Sequence, residues 1–200
     1  MMKKKNKKRF NLKDEYIKSW KIILDAKKFI YFAIGIFFFS SLIGFFIPVP
    51  EILRGSILEM IYDIIQKTSG MSYGELTIFI FLNNLQSSFL GLALGVFFGI
   101  FPIIFAMFNG YLIGFVSSYA VGEEGALSLW KLFPHGIFEL PAIFISFGLG
   151  IKFGTFLFRE DKRAFIGNFV LDCTRIFLLI IVPLLLIASI IETSLIHFFS

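Results

Sequence analysis

Residues 76–122 read LTIFIFLNNLQSSFLGLALGVFFGIFPIIFAMFNGYLIGFVSSYAVG, a run of 47 residues with no charged side chain. One helix of this length would extend about 70 Å at roughly 1.5 Å per residue, more than twice the bilayer's hydrocarbon core of about 30 Å. The run must therefore turn back. The sequence GIFP at 99–102 favours a turn there, because proline lacks a backbone N–H and glycine permits a tight bend. The run predicts two membrane-spanning helices, over residues 76–98 and 103–121.

The composition of the whole chain indicates the same environment. Of its 200 residues, 57% are hydrophobic and 29 are phenylalanine, and the mean hydropathy is +0.84. Charged residues make up 16%, against roughly 25% in ordinary globular proteins, and they cluster between the apolar runs. These values exclude a water-soluble enzyme and a disordered tail.

Three further apolar stretches are long enough to cross a bilayer, at residues 29–49, 132–158 and 167–191. Together with the two spans above they predict an all-α integral membrane bundle of about five transmembrane helices. The transmembrane domain then covers residues 29–191. The apolar run of the first span is too long for a cleavable signal and is followed by no cleavage site, so we expect it to be retained.

Basic residues set the predicted orientation in the cell membrane. Residues 1–28 contain 11 Lys or Arg, and residues 152–163 contain four more. Because basic segments stay cytoplasmic, both should face the cytoplasm, and the four spans between them supply the even number of crossings this requires. The N-terminus is then cytoplasmic, and residues 192–200 form a short external tail.

Two segments have the pattern of amphipathic helices that lie at the membrane surface. In the basic arm of residues 1–28, apolar side chains recur every four residues from Leu12 to Leu24, and lysines occupy the other faces. Anionic lipid is therefore the expected partner of this arm, and nucleic acid is not. Residues 51–67 carry a second apolar stripe, which favours an external helix covering the bundle over a helix that docks a partner.

One constellation of polar residues falls within the predicted spans. His135 and Glu139 are four residues apart and share a helix face, and a carboxylate at membrane depth needs protein or water around it. With Asn83, Asn84 and Asn109 they are candidates for one intramembrane polar network. Three interpretations are open for the His135/Glu139 pair: a structural lock, a proton or cation site, and a catalytic pair. The structural lock is favoured over transport, and catalysis is the weakest.

Catalytic and cofactor motifs are missing from the sequence. It contains no nucleophile elbow, no His-Glu-x-x-His and no aspartyl protease pair, and a metal ligand set is also lacking. The single cysteine, Cys173, excludes a disulfide framework. We therefore expect no enzymatic activity and no cofactor. Asp172 and Arg175, three residues apart, are expected to form a local ion pair.

Small residues recur at a spacing of four along the predicted spans. In lipid this spacing lets helix backbones approach closely, so it predicts packing seams, either within one chain or between copies. The predicted packing glycines are Gly91, Gly95, Gly99, Gly110, Gly114, Gly150 and Gly154.

These motifs resemble the stage II sporulation protein M family of multi-pass membrane proteins, which includes homologues from organisms that do not sporulate. The resemblance covers about residues 29–190 and is most specific at Pro-His-Gly and Glu-Leu-Pro. It implies a helical membrane component that, in spore-forming bacteria, works as anchor or scaffold with a cell-wall hydrolase and a second enzyme. The matching features are Asn83-Asn84, the glycines at 91, 95 and 99, Asn109-Gly110 with Gly114, 134–136, 139–141, and the glycines at 148, 150 and 154.

Two functions from different classes follow from these observations. The first is a non-enzymatic scaffold or accessory subunit of a membrane complex, with a membrane protein partner or a second copy of itself. The second is a small oligomeric transporter or channel that uses the buried Glu139 and His135. The glycine seams, the two amphipathic helices and the family resemblance favour the first.

Overall fold

The computed structural model describes residues 11–47, 49, 51–125, 129 and 133–199. Every regular element in these ranges is helical. A 3-10 turn, Leu94–Val96, extends α4, another, Thr155–Phe158, extends α6, and a π-helical turn, Phe177–Ile181, joins α7 to α8. The eight α-helices are α1 Leu12–Asp25, α2 Lys27–Phe46, α3 Glu51–Thr68, α4 Tyr73–Ala93, α5 Ile100–Glu124, α6 Phe133–Gly154, α7 Lys162–Ile176 and α8 Val182–Phe199.

Five helical stretches within the described residues are long and apolar enough to cross a membrane, which confirms the predicted fold class. The last, Lys162–Phe198, is 37 residues long and joins α7 to α8. At about 1.5 Å per residue it extends roughly 55 Å, so part of it must project beyond the hydrocarbon core. The helix also continues through residues 192–199, which the sequence placed after the last span. The other four stretches are Lys27–Phe46, Tyr73–Val96, Ile100–Glu123 and Gly136–Phe158.

The long uncharged run turns back at the GIFP sequence. Phe98 and Gly99 adopt positive φ angles of 60° and 73°, and α5 begins at Ile100, with Pro102 in its first turn. Proline is tolerated in the first turn because its missing N–H has no partner within the helix there. The following helix α5 therefore runs antiparallel to α4.

Helix α6 is the centre of the bundle. It packs against α2, α4, α5 and α8, and 72% of its span is buried, compared with 22–33% for the other spans. Phe147 and Leu149 of α6 have no exposed surface. The other spans therefore present most of their apolar side chains outward, where lipid or another membrane protein must cover them.

The packing glycines form two seams inside this one chain. At the α2/α5 seam, a Cβ on Gly110 or Gly114 would lie well under 3.0 Å from the backbone carbonyls of Phe37 and Ser41. Such distances are sterically forbidden, so the two helices can approach this closely only with glycine at these positions. Seam contacts of this kind fix the register of the two helices.

The α4/α6 seam continues through the turn after α4. The Cβ positions of Gly91, Gly95 and Gly99 face Phe147, Gly150 and Ile151, and those of Gly150 and Gly154 face Gly91 and the 98–99 turn. Gly99 makes the longest of these contacts, with 3.0 Å from its Cβ position to the Ile151 carbonyl oxygen. Its positive φ angle also favours glycine. The central helix thus contacts α4 backbone to backbone.

Helix α1 lies against α7 with its predicted apolar stripe outward. Ser19 and Ile23 are buried, whereas Tyr16, Trp20 and Leu24 are about half exposed. The outward stripe is the surface expected to enter lipid. We call this end of the bundle, with Lys21, Lys152 and Arg159, the basic end.

The opposite end, which we call the far end, contains α3, Tyr73 and His197. The predicted surface helix is present as α3, and a cavity of about 530 Å³ lies between it and α5. Leu58, Tyr62 and Phe115 are among the mainly apolar side chains that line this cavity. This cavity therefore separates part of helix α3 from α5.

Candidate functional site

Two carboxylates lie on different helices, α6 and α8, in the far half of the bundle. Glu139 of α6 and Glu192 of α8 are both partly buried and close enough to interact electrostatically. In the described part of the chain, no lysine or arginine forms an ion pair with either. Two such groups repel in a medium of low dielectric constant unless a proton or a cation lies between them.

Buried hydroxyls lie on the same two helices and on α4. Ser146 of α6 donates a hydrogen bond of 2.5 Å to the backbone carbonyl of Ser88 on α4. The Ser88 and Thr193 hydroxyls are buried and have no hydrogen-bond partner among the described residues. We call the group Ser88, Glu139, Ser146, Glu192 and Thr193 the polar core. Its members lie on α4, α6 and α8, three of the five spans, and the Ser146–Ser88 bond joins two of them.

A second contact ties α4 to α8 at the far end. The Tyr73 hydroxyl lies 2.9 Å from Ser194 Oγ, and the Tyr73 ring packs edge-on against His197 with centroids 5.9 Å apart. Helix α4 begins at Tyr73 because Ser72 and Glu75 form a capping box that satisfies free backbone N–H groups of its first turn. The cap therefore places the tyrosine that holds the end of α8.

The amides that the sequence grouped with Glu139 lie in different environments. Asn84 is 9% exposed on α4, but Asn83 beside it is exposed. Asn109 donates from Nδ2 to the Phe105 carbonyl of its own helix, at 2.8 Å. These observations connect neither Asn83 nor Asn109 to Glu139. The His135 side chain lies outside the described part of the structure, although its backbone belongs to the first turn of α6.

Glu192 is the main member of the polar core that sequence reasoning missed. It lies two residues after Ile190 in the apolar run, and the sequence predicts it in the external tail because a charge usually marks the end of a span. The signal that would have placed it correctly is the apolar pattern beyond it, since Leu195, Ile196 and Phe198 continue the helix.

The basic end contains an ion pair between a buried lysine and an exposed aspartate. The Lys152 side chain is 8% exposed, and its Nζ lies 2.5 Å from Asp25 Oδ2 and 5.7 Å from the centre of the Phe169 ring. The hydrogen bond from Lys152, and then its charge, lower the pKa of Asp25 below the ordinary value of 3.8. The pair connects α1 to the end of the central helix.

Arg175 makes the second ionic link to α1. Its Nη1 donates to Asp172 Oδ1 at 2.7 Å, which confirms the predicted local pair, and its Nε also pairs with Glu15 of α1. A hydrogen bond from Lys18 is the largest cause that lowers the pKa of Glu15, and the charge of Arg175 adds to it. Together Glu15, Asp25, Lys152, Asp172 and Arg175 form what we call the charged junction.

The spans pack around the central helix α6, and ion pairs hold α1 against this bundle. These features, together with the polar core, define a polytopic helical membrane protein. The family model described as "Stage II sporulation protein M" matches residues 29–195, and the chain belongs to that family. This confirms the resemblance inferred from the glycine and Pro-His-Gly motifs. The match begins within the first span and ends just after Glu192.

The chain is also similar to the uncharacterized protein MJ0793 of Methanocaldococcus jannaschii. The two sequences are 32% identical over 119 residues, which is 56% of this chain and 66% of the relative. The chain thus spans slightly less than two thirds of that protein's length. No solved structure matches this chain significantly.

Proposed function

We propose that this protein is a non-enzymatic scaffold or accessory subunit of a membrane complex. The observation that carries the proposal is the backbone contact at the glycine seams, exemplified by Gly95 against Gly150 and Gly114 against Ser41. Where two helix backbones touch in this way, no space is left between the helices for a solute. A rigid bundle with closed seams is suited to holding partners in place.

The outward surface of the bundle supports the same proposal. Only about a quarter of α2 and α5 is buried, and their outer faces carry large aromatic side chains such as Phe39, at 65% exposed, and Phe108, at 50%. Aromatic residues are enriched where proteins bind one another. In the membrane, such faces offer wide contact areas to a neighbouring helix, although lipid can also cover them.

Site-specific photo-crosslinking at native expression tests the proposal. A photoreactive amino acid is placed at Phe39 on the outer face of α2, and a second variant carries it at Phe147, which is wholly buried. We expect Phe39 to give crosslinks to another membrane protein and Phe147 to give none. Crosslinks confined to lipid at Phe39, and at matched outward positions on the other spans, would contradict the proposal.

We further propose that the basic end faces the cytoplasm and the far end faces outward, because α1 and residues 152–163 carry most of the positive charge. In a Cys173→Ala background, Ser69→Cys reports the far end and Glu160→Cys reports the basic end. An impermeant maleimide is expected to label Ser69→Cys in intact cells, and Glu160→Cys only after permeabilisation. The reverse pattern would overturn the orientation.

The Glu139–Glu192 pair favours one alternative, a small oligomeric transporter that moves protons or cations. Paired carboxylates within a span are typical of ion pathways. In proteoliposomes, this alternative expects a pH-driven flux that Glu139→Gln abolishes, whereas Glu160→Gln, a matched change outside the bundle, leaves it intact. No flux above protein-free vesicles, or equal flux in both variants, would reject it.

A further inference from the structure

A charged cavity lies at the basic end, beside the charged junction. Its volume is about 510 Å³, and α1, the end of α6 and the start of α7 form its walls. Ile22, Phe165 and Phe169 contribute its apolar surface. The polar side chains that line it are Lys21, Asp25, Lys152, Arg159, Asn168 and Asp172.

The charges in this cavity do not balance. Asp25 is paired with Lys152, and Asp172 is paired with Arg175, which is not part of the lining. The lining thus carries three cations against two carboxylates, and its excess positive charge lies with Lys21 and with Arg159, which also acts on Asp25. Asn168 adds an amide. Arg159 lies over the Phe165 ring, with 5.2 Å from its guanidinium carbon to the ring centre, which fixes it at the cavity edge. Two cations and an amide donor around one cavity are suited to a phosphate group.

The position of the cavity indicates where that phosphate comes from. One wall is α1, whose neighbouring Trp20 and Leu24 are exposed and form the stripe expected to lie among lipid headgroups. On the other side of Phe169 is a mainly apolar groove of about 500 Å³, to which Leu92 of α4 and Phe177 of the π-helical turn contribute. π-Helical turns frequently occur at functional sites. The charged cavity thus lies between two surfaces suited to lipid.

We propose that this cavity binds the phosphate of an anionic phospholipid headgroup, with Lys21, Arg159 and Asn168 as its ligands. The bound lipid bridges α1 and α7, the two helices that the Glu15–Arg175 pair of the charged junction also joins. This site is independent of the scaffold function, because it concerns a lipid and not a protein partner. Phosphatidylglycerol is the probe of choice, and phosphatidylcholine at equal concentration controls for lipid without net charge.

The test titrates the full-length protein, purified in an uncharged detergent, with phosphatidylglycerol and follows binding by native mass spectrometry. We expect the double variant Lys21→Gln/Arg159→Gln to weaken binding about tenfold or more, since each basic residue near an anionic surface contributes roughly a factor of five. The matched control, Lys162→Gln/Arg163→Gln, removes the same charge from positions at the same end that do not line the cavity, and should change binding less than threefold. Asn168→Asp, which adds a negative charge to the wall, should also weaken binding.

Three outcomes would overturn the proposal. One is an equal loss of affinity in the control variant, which would mean nonspecific attraction to the basic end. The second is phosphatidylcholine binding as tightly as phosphatidylglycerol. The third is displacement of the lipid by millimolar glycerol 1-phosphate, which would assign the cavity to a soluble phosphate compound. Gel filtration of each variant confirms that it is folded before the titration.

Discussion

Replacing Gly95 by alanine is expected to destabilise the bundle by about 1–3 kcal/mol, the range found for overpacked cores, or to prevent its assembly. The added Cβ would lie well under 3.0 Å from the Cα, C and O atoms of Gly150. Backbone atoms cannot move aside as a flexible side chain can, so α4 and α6 would have to separate. Because α6 packs against four other spans, that separation would disturb the whole bundle.

The matched control for this prediction is Gly35→Ala in α2. Gly35 has no atom within 4 Å of its Cβ position, and alanine is the better helix former by about 0.8–1 kcal/mol. We therefore expect Gly35→Ala to be neutral or stabilising. Thermal unfolding in a mild detergent, together with gel filtration, measures both variants. Equal stability of the two would show that the α4/α6 seam is not closed as described.

The second large effect is expected at the Lys152–Asp25 pair of the charged junction, in which the lysine is buried. Asp25→Asn leaves the ammonium group of Lys152 without its counter-charge in a site where the side chain is 8% exposed. Breaking a fully buried pair costs about 3–5 kcal/mol. Because the Asp25 side chain is 77% exposed and water reaches it, we expect a smaller loss of about 2 kcal/mol.

A double variant separates the lost charge balance from a lost contact. Adding Lys152→Met to Asp25→Asn removes the uncompensated charge and keeps an apolar side chain of similar length. The double variant should therefore regain most of the stability that Asp25→Asn loses. Chemical denaturation of the unmodified protein, the Asp25→Asn variant and the double variant measures their free energies of unfolding. If the double variant is as unstable as Asp25→Asn alone, the cost does not come from a stranded charge.

The direction of the pH dependence follows from the same pair. The pKa of Asp25 is lowered in the folded protein, so its stabilising effect is complete above the ordinary pKa of 3.8 and is lost as the pH falls toward the folded value. Glu15, whose pKa is also lowered, acts in the same direction. Helix α1 should therefore loosen from α6, and through Glu15 from α7, below about pH 4.

Much of the fold could be predicted because the bilayer restricts what a chain can do. An uncharged run of 47 residues has to turn once, and the turn lies at the GIFP sequence, where Gly99 has a positive φ angle. The glycine spacing likewise predicted close helix contacts. It could not show that the seams lie within one chain, because a spacing of four is the same for intramolecular and intermolecular packing.

The candidate site was harder to predict because polar contacts in a bundle depend on helix rotation. Asn109 bonds to its own helix and Asn83 is exposed, whereas Glu192, beyond the predicted span, is close enough to Glu139 to interact electrostatically. Lys152 is another example, since its partner Asp25 is 127 residues away in sequence. No local pattern encodes such pairings.

The most direct test of the scaffold proposal is the composition of the complex that contains this protein. The tagged chain is expressed at its native level, extracted with a gentle detergent, purified and analysed by quantitative mass spectrometry, with the protein-to-protein ratio measured across replicate preparations. A scaffold or accessory subunit predicts another membrane protein at a fixed ratio to this chain. Recovery of this chain alone, or only as copies of itself with lipid, would contradict the proposal and favour the oligomeric transporter.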